Sequence, residues 1–167
     1  MIIVYTGNGK GKTTASVGQA VRALGQGMEV AFAQFMKRPD QAGEQKMLSR
    51  MLGDHYFADG RGFFRKEEER PEHREAALSV LAWAGGVLGS VEMLILDESL
   101  YALDSGLLSD AELAGIIAEA RNKGVHLVLS GRGLPDWLRE EADLITEMGE
   151  IKHPYADGRA AVRGVEY

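Results

Sequence analysis

The residues best suited to bind an anion lie near the start of the chain, where positions 6–14 read TGNGKGKTT. Gly11-Lys12-Thr13 matches the end of the phosphate-binding pattern G-x-x-x-x-G-K-[ST], whereas Thr6 stands at the position of its first glycine. Glycines let successive backbone N–H groups turn toward phosphate oxygens, and the helix that follows presents its positive end. Lys12 would neutralise phosphate charge, and the Thr13 hydroxyl would ligate Mg²⁺. We therefore predict that residues 6–14 hold the triphosphate of ATP together with Mg²⁺.

The expected companion of this loop is the acidic pair Asp97-Glu98, which follows the apolar run at 93–96. A carboxylate at the end of a buried strand can hold Mg²⁺, or Mn²⁺ in its place, directly or through water. Taken alone, an apolar run before two acidic residues often marks only a strand end. Together with the loop it predicts a metal site whose candidate ligands are Thr13, Asp97 and Glu98.

Apolar runs alternate with helical patterns along the chain. Strands are predicted at 2–5, 29–35, 93–96, 125–130 and 144–146, and helices at 15–25, 43–52, about 71 to 89, 110–123 and 135–142. Buried strands separated by helices indicate a parallel sheet covered on both faces. We therefore predict an α/β protein with a three-layer P-loop NTPase (RecA-like) fold and a mostly parallel central sheet. Ligands in such folds bind beyond the carboxyl ends of the strands, and three motifs fall there, after Tyr5, Leu96 and Ser130.

Composition limits the class of protein. The 167 residues fit one domain, 1–167, and 45% apolar with 26% charged residues is typical of a folded globular protein. The absence of cysteine excludes disulfides, thiolate metal sites and a cysteine nucleophile. A net charge of −6 argues against a nucleic-acid partner. Because no basic region precedes the first apolar run, and the longest apolar stretch is too short for a membrane span, we expect a cytoplasmic protein without a membrane partner.

The loop alone does not distinguish a hydrolase, a kinase, a switch and a transferase. The sequence resembles the P-loop ATP:corrinoid adenosyltransferases, the group that adenosylates cob(I)alamin and cobyrinic acid diamide. Thr6 in place of the first loop glycine is a trait of that family. The matching stretches, spread over most of the chain, are TGNGKGKTTA at 6–15, QFMK at 34–37, Asp97-Glu98 with Tyr101, GRG at 131–133, and a tail with KH at 152–153, Gly158 and GVEY at 164–167.

The resemblance implies a reaction in which the Co(I) centre of a reduced corrinoid attacks C5′ of ATP and the whole triphosphate leaves. Because Co(I) is already a strong nucleophile, the protein supplies positioning and stabilises charge on the departing triphosphate. Lys12, Thr13 and Glu98 are implied as catalytic residues. The implied ATP contacts are Thr6, Gly7, Asn8, Gly9, Lys10, Gly11, Lys12, Thr13, Thr14, Arg22 and Arg132.

The family also packs aromatic side chains against the lower face of the corrinoid, which excludes water and the lower axial ligand. Its pattern there is Gly-Phe-x-Trp, where this chain reads Gly62-Phe63-Phe64-Arg65. Phe63 matches and Arg65 replaces the tryptophan, so the resemblance implies Phe63 and Phe64 as corrinoid contacts. It further implies ATP and a reduced corrinoid as substrates, a reductant such as a flavoprotein, and a homodimer.

Two other functions remain open, one from the residues and one from the departure from the family pattern. A P-loop ATPase or nucleotide-dependent switch acting on a protein partner would need a catalytic Gln, Glu or Arg at the γ-phosphate, and Gln34 at a strand end is a candidate. A corrinoid or ATP carrier with poor turnover is the other, because the tryptophan is missing. Analysis of the products distinguishes all three.

Overall fold

A six-stranded sheet lies at the centre of the computed structural model, which describes residues 1–62, 66–154, 158 and 160–166. Its strands are β1 (Ile2–Thr6), β2 (Val30–Gln34), β3 (Tyr56–Ala58), β4 (Met93–Asp97), β5 (His126–Ser130) and β6 (Leu144–Glu147). They lie in the order β3-β2-β4-β5-β1-β6, and every pair is parallel. The predicted α/β, RecA-like fold with a mostly parallel sheet is confirmed. The register sets Gln34 directly beside Asp97 at the carboxyl edge.

Helices connect the strands. They are α1 (Lys12–Gly25), α2 (Gly43–Leu52), α3 (Arg70–Val87), α4 (Ser99–Asp104), α5 (Asp110–Asn122) and α6 (Asp136–Glu141), with 3-10 turns at Gly53–His55 and Glu67–Glu69. Ser109 caps α5, because its hydroxyl accepts from the Glu112 N–H at 3.4 Å and its own N–H donates to the Glu112 carboxylate at 2.8 Å. Within the described residues, no helix is both long enough and apolar enough to cross a membrane.

The two faces of the sheet bury separate cores, which makes the molecule three-layered. On one face, strand residues such as Phe32 and Ile95 pack with Ala20 of α1 and Leu48 of α2. On the other face, the alternate strand residues pack with α3, α4, α5 and α6. Because successive side chains of a strand point to opposite faces, both sides of these apolar strands are covered.

Two elements lie where no element was predicted. β3 has only three half-buried residues, too few to show a period, and it is held by pairing with β2 and by stacking of Phe57 on Trp83 of α3, whose ring centroids lie 5.5 Å apart. α4 is a six-residue helix that directly follows Glu98. The first helix also begins earlier than predicted, at Lys12, because the end of the glycine loop forms its first turn.

An ion pair between α3 and α5 gives the fold a pH dependence. Arg74 donates to both carboxylate oxygens of Glu112, at 2.8 and 2.5 Å, and this hydrogen bonding lowers the pKa of Glu112 to about 2 from 4.5. A carboxyl whose pKa is lowered by folding stabilises the protein above its unfolded pKa and loses that contribution as the pH falls. The contribution is therefore complete above about pH 4.5 and disappears toward pH 2.

We expect Arg74→Met to lower the free energy of unfolding by about 1 kcal/mol at neutral pH, since the pair is partly exposed and solvent screens it. Urea denaturation from pH 3 to 7 measures this. As the pH falls over this range, the free energy of unfolding should decrease less in the variant than in wild type. Arg139→Met is the control, because its pair with Asp136 is longer, at 3.6 Å, and more exposed. Parallel pH curves for wild type and Arg74→Met would contradict the assignment.

Candidate active site

The glycine loop between β1 and α1 is clamped against the chain that follows β6. The Gly9 N–H donates to the Met148 carbonyl at 2.7 Å, and the Met148 N–H donates to the Thr6 carbonyl at 2.8 Å. Gly7 has a φ of 100°, and a Cβ there would lie 2.4 Å from the Met148 oxygen, so only glycine fits. This packing fixes the loop at the carboxyl edge of the sheet.

Lys12 begins α1 and folds back over the loop. Its Nζ donates to the carbonyls of Gly7 and Gly9 at 2.7 and 2.8 Å, and the residue is 8% exposed. Burial lowers the pKa of Lys12 and Arg132 lowers it further, against opposing contributions from the two acidic residues of the site. The structure therefore provides an ammonium group held by loop carbonyls and oriented toward the same pocket as the loop.

Asp97 ends β4 and is fully buried beneath the loop. Its carboxylate accepts hydrogen bonds from the Ser130 hydroxyl at 2.6 Å, the Gln34 amide at 2.9 Å and the Thr13 hydroxyl at 3.1 Å. Lys37 Nζ lies 3.3 Å from its Oδ2. A buried carboxylate needs such partners, and these side chains fix the position of Asp97.

Glu98 follows Asp97 in a left-handed conformation, with a φ of 62°, and lines the pocket. Such a conformation costs a non-glycine residue on the order of 1–3 kcal/mol and is typical of functional sites. The Glu98 N–H is anchored to the Ser130 hydroxyl at 3.1 Å. Burial raises the pKa of Glu98, and the neighbouring Asp97 carboxylate raises it further. A cation at this place would relieve that repulsion.

Two charged residues at the site were not singled out from the sequence. Lys37 Nζ lies 2.7 Å from Glu44 Oε1 and 3.2 Å from Thr13 Oγ1. Burial lowers the pKa of Lys37, but the Asp97 and Glu44 carboxylates outweigh this effect and the net shift is upward. The pKa of Glu44 is lowered because its bond to Lys37 overcomes the effect of burial. The signal that could have found Lys37 is its place just beyond an apolar strand, in QFMK at 34–37.

The glycine loop, Glu98 and the Lys37–Glu44 pair surround a pocket of about 540 Å³. Arg132 enters from the loop after β5, and its guanidinium donates to the Asn8 carbonyl at 3.3 Å. The tail residues His153 and 164–166 also line the pocket, as do Lys37 and Glu44. The predicted residues that line it are Asn8, Gly9, Lys10, Gly11, Lys12, Thr13, Thr14, Glu98 and Arg132.

Four other predicted residues lie apart from the pocket wall. Thr6 is buried at the end of β1, Gly7 packs against the Met148 backbone, and Asp97 is buried at the end of β4. Arg22 is exposed in the last turn of α1, where it contacts Gln19 at 3.5 Å, and it does not line the pocket.

The sequence profile of ATP:corrinoid adenosyltransferase BtuR/CobO/CobP matches residues 1–167 of the chain. The chain belongs to this family. Proteins named corrinoid adenosyltransferase match it over its whole length: one from Pseudomonas aeruginosa is 37% identical over 83% of that protein, and one from a Sinorhizobium species is 36% identical over 80%. Corrinoid adenosyltransferase CobA of Salmonella typhimurium is 32% identical over 85% of its length.

A crystal structure of a DNA replication initiation factor is a distant structural neighbour. The match covers 88% of the present chain and 39% of the chain of the initiation factor, with 15% identity and a TM-score of 0.45.

Gln34, the candidate for an ATPase role, is buried and has both ends of its amide engaged. The Nε2 donates to Asp97, and the Oε1 accepts from the Tyr56 hydroxyl at 2.8 Å. An amide held in this way positions the Asp97 carboxylate, and because Gln34 is fully buried it does not line the pocket in which a γ-phosphate would lie. The side chain that would favour the ATPase hypothesis therefore supports Asp97 instead.

The oxygen donors of the site suit a hard divalent cation. The Thr13 hydroxyl lies 3.1 Å from both Asp97 carboxylate oxygens, and Glu98 is next along the chain. In the described parts of the chain, no group of three or more His, Asp or Glu forms a metal site by itself. Such a sparse set fits Mg²⁺, which is commonly bound by one or two protein oxygens together with substrate phosphates and water.

Phe63, Phe64 and Arg65, the predicted corrinoid segment, lie outside the described residues. The residues just before them pack against the turn beside the pocket. The Gly62 N–H donates to the Met36 carbonyl at 2.6 Å, and a Cβ on Gly60 would lie 2.2 Å from the Met36 carbonyl carbon. The chain that enters the predicted corrinoid segment therefore packs directly on the turn that carries Lys37.

Proposed function

We propose that the chain, as one domain spanning 1–167, transfers the 5′-deoxyadenosyl group of ATP to the Co(I) centre of a reduced corrinoid. The cobalt electron pair forms the Co–C5′ bond, the C5′–O bond breaks, and its electron pair leaves with tripolyphosphate. The observation that carries this proposal is the convergence of Lys12, Lys37 and Arg132 around the phosphate loop of a family member. These cations face the group that gains charge when the bond breaks.

Each residue would act on the leaving group or on its position. Lys12 would bind phosphate oxygens from the loop, and the backbone N–H groups of the loop would donate to others. Asn8, Lys10, Thr14 and Arg132 would contact the nucleotide. Arg22 is proposed as an ATP contact on the resemblance alone.

Thr13, Asp97 and Glu98 would hold Mg²⁺ or Mn²⁺. When bound, such an ion neutralises charge on the phosphate oxygens. The fit rests on the hydroxyl and carboxylate oxygens described above, and on the raised pKa of Glu98, since two adjacent carboxylates favour a shared cation.

The corrinoid would contact Phe63 and Phe64, and a reductant such as a flavoprotein would supply Co(I). A homodimer is proposed on the same resemblance. We expect Phe63→Ala to leave ATP affinity unchanged but to slow the reaction when it starts from Co(II) corrinoid. The reason is that the aromatic ring would keep water and the lower ligand from the cobalt, which eases reduction.

Rates measured from Co(II) and from chemically prepared Co(I) test the role of Phe63. Phe63→Leu, which keeps apolar bulk, should lie between wild type and Phe63→Ala. Equal loss from both oxidation states would assign Phe63 to packing only.

An anaerobic incubation with MgATP and chemically reduced cob(I)alamin tests the proposed reaction. Chromatography should find adenosylcobalamin and tripolyphosphate in equal amounts, and neither should form when the corrinoid is omitted. ADP and phosphate without an alkylated corrinoid would overturn the proposal in favour of an ATPase. Binding without turnover would favour a carrier.

A further inference from the structure

Lys37 places its ammonium group against two of the proposed metal ligands. Its Nζ lies 3.2 Å from Thr13 Oγ1 and 3.3 Å from Asp97 Oδ2, and it forms its shortest contact, 2.7 Å, with Glu44. The side chain is 25% exposed and lines the same pocket as the phosphate loop. A positive charge therefore lies where the oxygens proposed to bind a divalent cation converge.

The backbone fixes where this lysine side chain starts. The Phe35 N–H donates to the Asp97 carbonyl at 2.9 Å, and the Lys37 N–H donates to the Phe35 carbonyl at 2.5 Å. Between them Met36 adopts a φ of 60°, and its carbonyl accepts from Gly62. The turn is held from both sides, so any movement of Nζ must come from rotation along the four-carbon stem.

A divalent cation bound to Thr13 and Asp97 would compete with Nζ for the same oxygens. Mg²⁺ binds oxygen at about 2.0–2.1 Å, so an ion on Thr13 Oγ1 would lie no farther than about 5.3 Å from an ammonium that is 3.2 Å from the same oxygen. Two positive charges at that distance repel each other strongly. Glu44 lies outside the proposed ligand set and can keep its ion pair with Nζ.

We propose that Lys37 exchanges partners: Nζ binds Thr13 and Asp97 when no divalent cation is present, and moves onto the triphosphate when a cation takes those oxygens. Lys37 then becomes a second lysine on the leaving group, and Glu44 is a positioning residue that keeps it beside the pocket. This inference rests on the proposed binding of ATP with a divalent cation at the loop. It predicts that removing Lys37 strengthens the binding of a divalent cation and weakens the binding of ATP.

Two binding titrations on the full chain test the exchange, and neither contains a corrinoid. In the nucleotide-free protein, Mn²⁺ followed by electron paramagnetic resonance should bind Lys37→Met about tenfold more tightly than wild type, because a competing cation is gone. With saturating Mg²⁺, calorimetry should find ATP bound about tenfold more weakly, because a charge-assisted phosphate contact is lost.

Lys10→Met is the matched control, because Lys10 carries the same charge at the same pocket but has no contact with Thr13 or Asp97. Its Mn²⁺ affinity should change by less than about twofold, since exposed charges act weakly at a distance. Lys37→Gln repeats both titrations if the methionine variant does not fold.

Unchanged or weaker Mn²⁺ binding by Lys37→Met would overturn the exchange, because a merely structural lysine weakens both ligands. Unchanged ATP affinity would overturn it as well, since Nζ would then have no contact with the triphosphate. Opposite shifts in a protein that forms no adenosylated corrinoid would overturn the proposed reaction and leave the role of Lys37 intact.

Discussion

Turnover of the Lys12→Ala variant should fall by a factor of about 10² or more, the order expected when a group that stabilises developing charge is removed. The Lys12 ammonium is held by two loop carbonyls and is largely shielded from water. Negative charge grows on the triphosphate as the C5′–O bond breaks, and a fixed cation acts more strongly on it where water is excluded. The rate of adenosylcobalamin formation from MgATP and chemically reduced cob(I)alamin measures the effect.

Two further variants separate this role from general changes in charge. Lys123→Ala removes a lysine that is paired with Glu119 on α5 and lies outside the pocket, so its rate should stay within about twofold of wild type. Lys12→Arg keeps the charge, but a guanidinium does not fit the two carbonyl contacts of a compact ammonium, so this variant should also be slow. A wild-type rate in Lys12→Ala would remove the loop from the mechanism.

The phosphate loop could be predicted residue by residue because its chemistry is local. A strand, a run of glycines, Lys12, Thr13 and a helix follow one another within about two dozen positions, and each constrains the next. The bounds of α2 could also be predicted, because its apolar residues recur at helical spacing. The acidic pair at 97–98 could be placed near the loop only through the general rule for the edges of parallel sheets.

The partners of that acidic pair could not be predicted, because they depend on strand order. β4 neighbours β2 on one side and β5 on the other, which brings Gln34 and Ser130 to the Asp97 carboxylate. No local stretch of the sequence determines the order of the strands or their register. Lys37 and Glu44 depend on it as well, since the turn that carries Lys37 and the helix α2 that carries Glu44 both follow β2.

Arg22 illustrates the limit of transferring a role by resemblance. The residue stands at a position that the family pattern assigns to ATP, yet it lies one helix length from the loop and does not line the pocket. Its role stays a prediction.

Removing the Asp97 carboxylate should cost both stability and metal-dependent nucleotide binding. In Asp97→Ala the Ser130 hydroxyl, the Gln34 amide and Lys37 all lose a buried acceptor. Leaving such groups without their partner typically costs about 3 kcal/mol or more. We therefore expect urea denaturation of the metal-free variant to give a free energy of unfolding lower by about that amount.

The same variant distinguishes a structural carboxylate from a metal ligand. ATP affinity measured with and without Mg²⁺ should differ in wild type and should be nearly equal in Asp97→Ala, because one of the proposed ligands is gone. Asp54→Ala is the control for net charge; Asp54 is exposed beyond α2, and its free energy of unfolding should change by less than about 0.5 kcal/mol. A stable Asp97→Ala variant with the full Mg²⁺ effect would show that Glu98 and Thr13 hold the ion without Asp97. A destabilised variant with the full effect would restrict Asp97 to supporting Gln34, Ser130 and Lys37 beneath the pocket.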